Sequence, residues 1–330
     1  MEKAKDINEM LDLCPKNVII RDNVIKAWHK INSSKYKKIV CTISGGSDSD
    51  IMLDLVWRCD INSKVDYVWF DTGLEYQATK DHLKYLEEKY GITITTYKAI
   101  KAIPLSCKEY GQPFISKKTS DYIHRLQRHG FTWEDKPFEE LVQTYPNCRS
   151  ALMWWCNTNQ SDQFNIRRNK GLKEFMIENP PDFLISDKCC LYAKKNVLHK
   201  LLSEHDYDLN TYGVRKSEGG IRAAAYKSCF TESDHCDSYR PLFWFTDADK
   251  KAYEDAFGVT HSECYRTYGL RRTGCAGCPF GRKFEEELQI IQTYEPKLYA
   301  AVNHIFGKSY AYTRKYRKYC EEKYGNKRKK

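Results

Sequence analysis

The stretch CTISGGSDSDIML, residues 41–53, limits the fold more than any other part of this chain. It sets Ser44, Gly45, Gly46, Ser47, Asp48 and Ser49 between a short β-branched run, KKIVCTIS, and DIMLDLVWRC, whose apolar residues recur at helical spacing. Strand, glycine turn, helix is the economical reading. Such a turn aims free backbone N–H groups and the positive end of the helix dipole at whatever anion it holds, and phosphate is the natural guest. The stretch has neither the Gly-Lys-Ser/Thr of a Walker loop nor the three-glycine spacing of a dinucleotide fingerprint. An anion held here must rely on amides and hydroxyls. From these residues alone, an ordinary turn with Ser47 or Asp48 as helix N-cap stands as an equal alternative.

The pattern continues with a strand at 65–70, a helix at 75–90 and a strand at 92–99. Later come DFLISD (182–187) as a strand, a helix from about Cys190 to Leu202, and the strand LNTYGVRK (209–216). Short apolar strands separated by amphipathic helices predict a doubly wound, mostly parallel α/β sheet. Ligands of such sheets gather at the C-terminal strand ends, where Ser-Gly-Gly and Asp71-Thr72-Gly73 would open on one crevice. The segment from about 103 to 165 is aromatic, basic and interrupted, with Trp154 and Trp155 in tandem, and reads as a helical insertion. A substrate lid and a space-filling helical subdomain are both open for it. A nucleotide-binding domain over 1–245 and a C-terminal region over 246–330 are the expected divisions.

A 330-residue chain that is 41% hydrophobic can bury a sizeable core. MEKAKDINEMLDLCPKN has no apolar targeting region and no run is long enough to span a bilayer, so a cytoplasmic protein without membrane contact is expected. Fourteen cysteines in a reducing compartment suggest metal binding or catalysis for some, while Cys41 and Cys59 read as small core residues. The net charge of +10 is concentrated in residues 307–330, whose ten Lys/Arg and two Glu contribute +8. Such a tail attracts phosphate backbones, and its tyrosines could stack on bases. Against nucleic-acid contact, Tyr312, Tyr316 and Tyr319 share a helical face, as in a helix docked on the body.

Cys189-Cys190 and the Cys275-x-x-Cys278 pair together supply four thiols, the number wanted by a zinc site or a four-iron cluster. Adjacent cysteines diverge from one piece of backbone, which suits separate irons better than one small zinc ion. Lys188, Lys194, Lys195, Arg271 and Arg272 stand near in sequence to offset thiolate charge.

The loop Ser44–Ser49 resembles that of the PP-loop family, the adenine nucleotide α-hydrolases, in full. With it, Lys-Cys-Cys and a distant Gly-Cys-x-x-Cys, Asp71-Thr72-Gly73-x-Glu75, GVRKSEGGIR and the Pro241-Leu242…Trp244 segment resemble the phosphoadenosine phosphosulfate reductase family, in its iron–sulfur adenylyl sulfate reductase-like branch. The similarity runs from about residue 35 to 285, interrupted at 103–165. It implies the PP-loop fold, with a C-terminal cysteine-bearing helical region. It also implies a nucleotide site of Ser44, Gly45, Gly46, Ser47, Asp48, Ser49, Asp71, Thr72 and Gly73, and a [4Fe-4S] cluster on Cys189, Cys190, Cys275 and Cys278. ATP or adenylyl sulfate would be the substrate. Asp71 in its Asp-Thr-Gly turn could hold ribose hydroxyls or Mg2+, or merely cap the next helix.

Arg215 and Arg222 suit phosphate oxygens as bidentate forks, and with Asp48 they are the candidate catalytic groups; a surface pairing of Arg215 with Glu218 is the plain alternative. The family's reductases use a C-terminal Glu-Cys-Gly thiol, whereas Cys320 is followed here by Glu-Glu, and Gly219 replaces the serine after the motif glutamate. Three functions follow: ATP-dependent thiolation with a sulfur donor, adenylyl sulfate reduction with a thioredoxin-like partner and Cys320 as nucleophile, and a non-catalytic nucleotide and cluster sensor.

Overall fold

The computed structural model describes residues 3–219 and 225–325. Its helices and strands run α1 (Ile7–Leu13), α2 (Val18–Asn32), β1 (Ile39–Ile43), α3 (Ser47–Cys59), β2 (Val65–Asp71), α4 (Gln77–Tyr90), β3 (Ile94–Lys98), α5 (Ile103–Tyr110), α6 (Lys117–Arg128), α7 (Phe138–Thr144), α8 (Arg149–Trp155) and α9 (Leu172–Glu178). They continue with α10 (Asn196–Glu204), β4 (Leu209–Tyr212), β5 (Phe230–Thr231), β6 (Asp237–Tyr239), α11 (Asp247–Phe257), α12 (Glu263–Arg266), α13 (Phe284–Tyr294) and α14 (Pro296–Tyr324). A single helical turn at Lys188–Cys190 and a π-helical turn at Leu191–Lys195 precede α10.

The chain divides into a sheet unit, residues 1–99 and 196–275, and a helical unit, residues 100–195 and 276–330. This division differs from the one expected at 245/246, because the aromatic insertion and the C-terminal helix belong to one unit.

In the sheet unit the strand order is β3-β2-β1-β4-β6-β5. All neighbours are parallel except the short β5, which runs antiparallel to β6. Alternation along the strands decides what covers each face. Ile39, Cys41 and Ile43 of β1 and Tyr67 and Trp69 of β2 join one core with α2, α3 and α4. Val40 and Val68, pointing the other way, join Leu201 of α10, Tyr207 and Cys236. Helices on both faces make the sheet doubly wound, and both faces being buried explains why the strands read as apolar runs. The chain leaves β1 for β2 on one side and pairs β4 on the other, which places the switch in strand order at the loops after β1 and β4.

The helical unit has its own core, built from Phe114, Tyr122, Trp154, Trp155, Phe175 and Tyr312 among others. The space-filling alternative for the insertion is thus the one seen for its tryptophans. DFLISD is not a strand of the sheet. Ile185 makes one isolated parallel bridge with Gln112, through Gln112 N–H to Leu184 O at 2.8 Å and Ser186 N–H to Gln112 O at 3.0 Å. Ile185 is buried in the helical unit's core with Phe183 partly buried against it, while Leu184 is exposed, and burial without a neighbouring strand leaves an extended segment rather than a ladder.

Tyr312, Tyr316 and Tyr319 all pack on Phe175. Their hydroxyls donate to Asn179 O, Lys170 O and Glu178 Oε1. These three rings are docked, which removes them as a stacking platform for bases.

Candidate anion site and thiol cluster

The loop after β1 is shaped by two close approaches. Gly45 has φ +66°, and a Cβ there would lie 2.5 Å from Thr79 Cγ2, so only glycine fits without displacement. At the end of β4, a Cβ on Gly213 would press on the Asp48 carbonyl at 3.2 Å, which lets β4 run close beneath the loop. Ser44 N–H donates to Ser49 Oγ at 2.9 Å and closes the turn. The N-cap of α3 is Gly46, with no side-chain capping bond. The alternative of Ser47 or Asp48 as N-cap therefore does not hold: both lie inside the first helical turn. A cap without a side chain leaves the N-terminal amides for an exogenous anion.

Hydroxyls surround that cap. A Cβ on Gly46 would meet Ser44 Oγ at 3.2 Å, Thr273 Oγ1 at 3.3 Å and Tyr265 OH at 3.4 Å. Tyr265 and Thr273 are bonded to each other, OH to Oγ1 at 2.9 Å, and Thr273 N–H donates to Tyr265 OH at 3.1 Å. Sequence reasoning missed both, because α12 and the segment after it carry no motif that announces them.

It also missed Lys250. The Thr246–Asp249 capping box starts α11 and fixes which face the helix turns to α3. Lys250 Nζ lies 2.9 Å from Asp48 Oδ1 and donates to Ser47 Oγ. The loop lacks a Walker lysine, and α11 supplies a cation at the same place. Arg215 Nε donates to Asp48 Oδ2 at 2.9 Å, and its Nη1 reaches Asp247 Oδ1 at 2.8 Å and Ser217 Oγ at 3.0 Å. The guanidinium is buried rather than at the surface. Burial acts to raise the Asp48 carboxyl, but a hydrogen bond with Glu218 and the Lys250 and Arg215 cations outweigh it and hold it at about 2. Asp48 is thus an anionic strut that holds two cations beside the loop. Arg222 lies outside the described residues.

Behind the loop, Asp50 is fully buried and lies 2.8 Å from His261 Nδ1 and 3.1 Å from His82 Nε2. His261 Nε2 lies 2.8 Å from Glu254 Oε1, one helical turn beyond Lys250. Desolvation acts to lower His261, but Asp50 and Glu254 outweigh it and raise it to about 9. Asp71 Oδ1 accepts from Gly73 N–H at 2.8 Å, and Thr72 Oγ1 donates to Glu75 at 2.6 Å, so this second turn is braced by its own side chains.

In the helical unit, Cys107 sits on α5, which packs against the turn bearing Cys189 and Cys190. Neighbouring thiols and burial push the Cys189 and Cys190 thiols up. Lys117 and Lys194 act on Cys190 in the opposite sense. Cys275 is the last residue of the sheet unit. Among the described residues no three His, Cys, Asp or Glu side chains are placed to hold a single metal ion.

In comparison with known proteins, residues 38–129 are similar to the phosphoadenosine phosphosulfate reductase domain. That domain holds β1 to β3 and the glycine loop, whereas Arg215, Lys250, Tyr265, Thr273 and the cysteine pairs lie beyond the matched span.

An uncharacterized 37.8 kDa protein of Escherichia phage 186 is 26% identical over 254 residues, covering 74% of this chain and 68% of the phage protein. An uncharacterized protein of Methanocaldococcus jannaschii is 27% identical over 138 residues, 42% of this chain and 27% of its own length. Among solved structures, the phosphoadenylyl-sulfate reductase of Candida auris, in a phosphate complex, aligns over 83% of this chain and 97% of its own, with TM-score 0.41 and 15% identity. The U34-tRNA thiolase of Methanococcus maripaludis, with its [4Fe-4S] cluster, aligns over 92% and 79%, with TM-score 0.37 and 13% identity. No helix of the described residues is long and apolar enough to cross a membrane.

Proposed function

We propose that this chain binds ATP at the Ser44–Ser49 loop and uses it to activate an oxygen of an acceptor for replacement by sulfur. The supporting observation is the cation set of the loop. Lys250 and Arg215 flank an uncapped helix N-terminus, held in place by Asp48, and Ser44, Tyr265 and Thr273 add hydroxyls. Such a cradle suits the β- and γ-phosphates as they become pyrophosphate. In the proposed reaction, an acceptor oxygen attacks the α-phosphorus and pyrophosphate leaves with the electron pair of the broken P–O bond. Sulfide, the donor class, then attacks the adenylated carbon and AMP departs. Mg2+ would accompany the phosphates, and Arg222 remains a candidate for binding them.

The cysteines Cys189, Cys190, Cys275 and Cys278 are proposed as ligands of a [4Fe-4S] cluster. An all-thiol donor set without histidine or carboxylate matches iron–sulfur ligation, and a cluster would supply a place to hold or deliver sulfur. Reduction of adenylyl sulfate by Cys320 is less well supported. Cys320 lies within α14, its Sγ donates to Lys170 O at 3.3 Å, and burial pushes its thiol up rather than down.

The test is an anaerobic assay offering Mg-ATP with sulfide and Mg-ATP-free adenylyl sulfate with thioredoxin, each with and without tRNA or DNA. AMP and pyrophosphate from ATP are expected. Lys250→Ala should weaken ATP binding roughly 10- to 100-fold, the worth of one charge-assisted contact. Sulfite from adenylyl sulfate in the absence of ATP turnover overturns the reading in favour of a reductase. Tight ATP binding without products in any arm overturns it in favour of a sensor.

A further inference from the structure

The helix that supplies Lys250 also carries a carboxylate within its reach, and a histidine holds that carboxylate first. Lys250 and Glu254 are one turn apart on α11, which ends at Gly258 with φ +61°, a left-handed turn that folds the chain back on the helix. His261, three residues on, places Nε2 2.8 Å from Glu254 Oε1, while Lys250 Nζ lies 3.8 Å from the same oxygen. The other ring nitrogen is held by α3: His261 Nδ1 lies 2.8 Å from Asp50 Oδ2. From α4, His82 Nε2 lies 3.1 Å from that Asp50 oxygen with Tyr85 stacked on its ring, and from α12 the Tyr265 ring stands 5.7 Å from the imidazole. The Asp50 side chain is 1% exposed and those of Lys250, Glu254 and His261 are 15% or 16% exposed, so water screens these contacts little. The contacts run from Asp50 through His261, Glu254 and Lys250 to Asp48, beginning and ending on the first turn of α3, and every one of these residues lies in the sheet unit.

Resting on the reading of the loop as the ATP site, we infer that His261 is a positioning residue of that site: it occupies Glu254 and so leaves Lys250 to Asp48 and to the incoming phosphates. An imidazolium donates from both nitrogens, here to Asp50 and Glu254 together. Without that charge, Glu254 is a mostly buried carboxylate whose remaining cation among the described residues is Lys250. The lysine ammonium is a compact charge on a flexible stem, so it is drawn toward its own helix and away from the loop. Burial acts to lower the imidazole, but Asp50 and Glu254 outweigh it and keep it charged up to about 9. The lysine is therefore released to Glu254 before its own ordinary titration near 10.4 begins.

The test is calorimetric binding of Mg-ATP to the full chain, started at pH 7.5, above the range in which phosphate esters titrate, and repeated in steps to pH 9.5. Wild-type affinity should fall as pH rises through about 9. His261→Gln keeps a hydrogen-bond donor but no charge. It should bind ATP roughly 5- to 20-fold more weakly at pH 7.5 and lose the fall, the size of coupling expected between neighbouring charged groups. Adding Glu254→Gln to it should restore affinity to within about 2-fold of wild type, because no carboxylate is left to draw Lys250 away. Glu254→Gln alone should bind ATP without the fall through pH 9, which tests the inference even where His261→Gln does not fold. In the Lys250→Ala background, His261→Gln should cost nothing further. A merely structural His261 gives the opposite pattern, with losses that Glu254→Gln does not repair and that persist without Lys250. Either result overturns the inference, as does a wild-type pH profile retained in Glu254→Gln. Absence of ATP binding by wild type at every pH overturns the reading of the loop itself.

Discussion

The sheet unit carries a formal charge of −1 and the helical unit +11, which together give the chain's +10. Within the sheet unit, charges are spent on one another: Asp48 on Lys250 and Arg215, Asp50 on two histidines, Asp54 on Arg58. A nucleotide drawn to the loop would meet local donors, the amides of α3 with Lys250 and Arg215, and not a long-range positive field. The helical unit is the reverse. Its thiols and its rows of lysines are suited to a cluster and to an extended polyanion. The charge asymmetry separates the units: a polyanion would be drawn to the helical unit, and a small anion to local donors at the loop.

The strongest way to break that assignment is Gly45→Val. The residue would have to hold φ +66° with a branched side chain against Thr79 Cγ2, at a cost on the order of 3 to 5 kcal/mol for strain and overpacking together. ATP binding should vanish by calorimetry, while the iron content of the reconstituted chain stays at the wild-type value. A loss of both would show that the two functions do not divide as the charges do.

Next in size is the titration of His261. Its folded value of about 9 stands above the ordinary value near 6.5, so the proton binds more tightly in the folded state. The stabilisation is therefore fully present below about pH 6.5 and is lost as pH rises through 9, with a total on the order of 3 kcal/mol. Denaturant unfolding followed from pH 6 to 10 should show this decline, and His261→Gln should flatten it. Persistence of the full slope in His261→Gln would assign the effect to another group. Asp48 acts in the opposite direction: its stabilisation is present above the ordinary carboxylate range and is lost as pH falls through about 2.

Legibility in the sequence followed the same division. Strands β1 to β3 and the loop were readable because a buried parallel strand is a run of β-branched residues, and because Ser-Gly-Gly leaves few backbone options. The strand β4 was readable for the same reason. DFLISD misled, since an apolar extended run looks alike whether its neighbours are strands or helices. Lys250, Tyr265 and Thr273 were hidden because each reaches the loop from an element whose own sequence specifies only a helix or a turn.

The smallest expected effect separates the tail's lysines from its tyrosines. Lys297, Lys308, Lys315 and Lys318 recur on the exposed face of α14, while the tyrosine hydroxyls are tied to the helical unit's own backbone and to Glu178. If a polyanion binds this stripe, it binds through phosphates without base stacking. Affinity for duplex DNA should then fall with salt, and each lysine replaced by alanine should reduce the slope of log K against log salt by about 0.9 with no change in sequence preference. Tyr319→Phe, which removes only a hydroxyl bonded to Glu178, should leave the slope as it was. A lysine series that leaves the slope unchanged would return the +11 of the helical unit to plain surface charge.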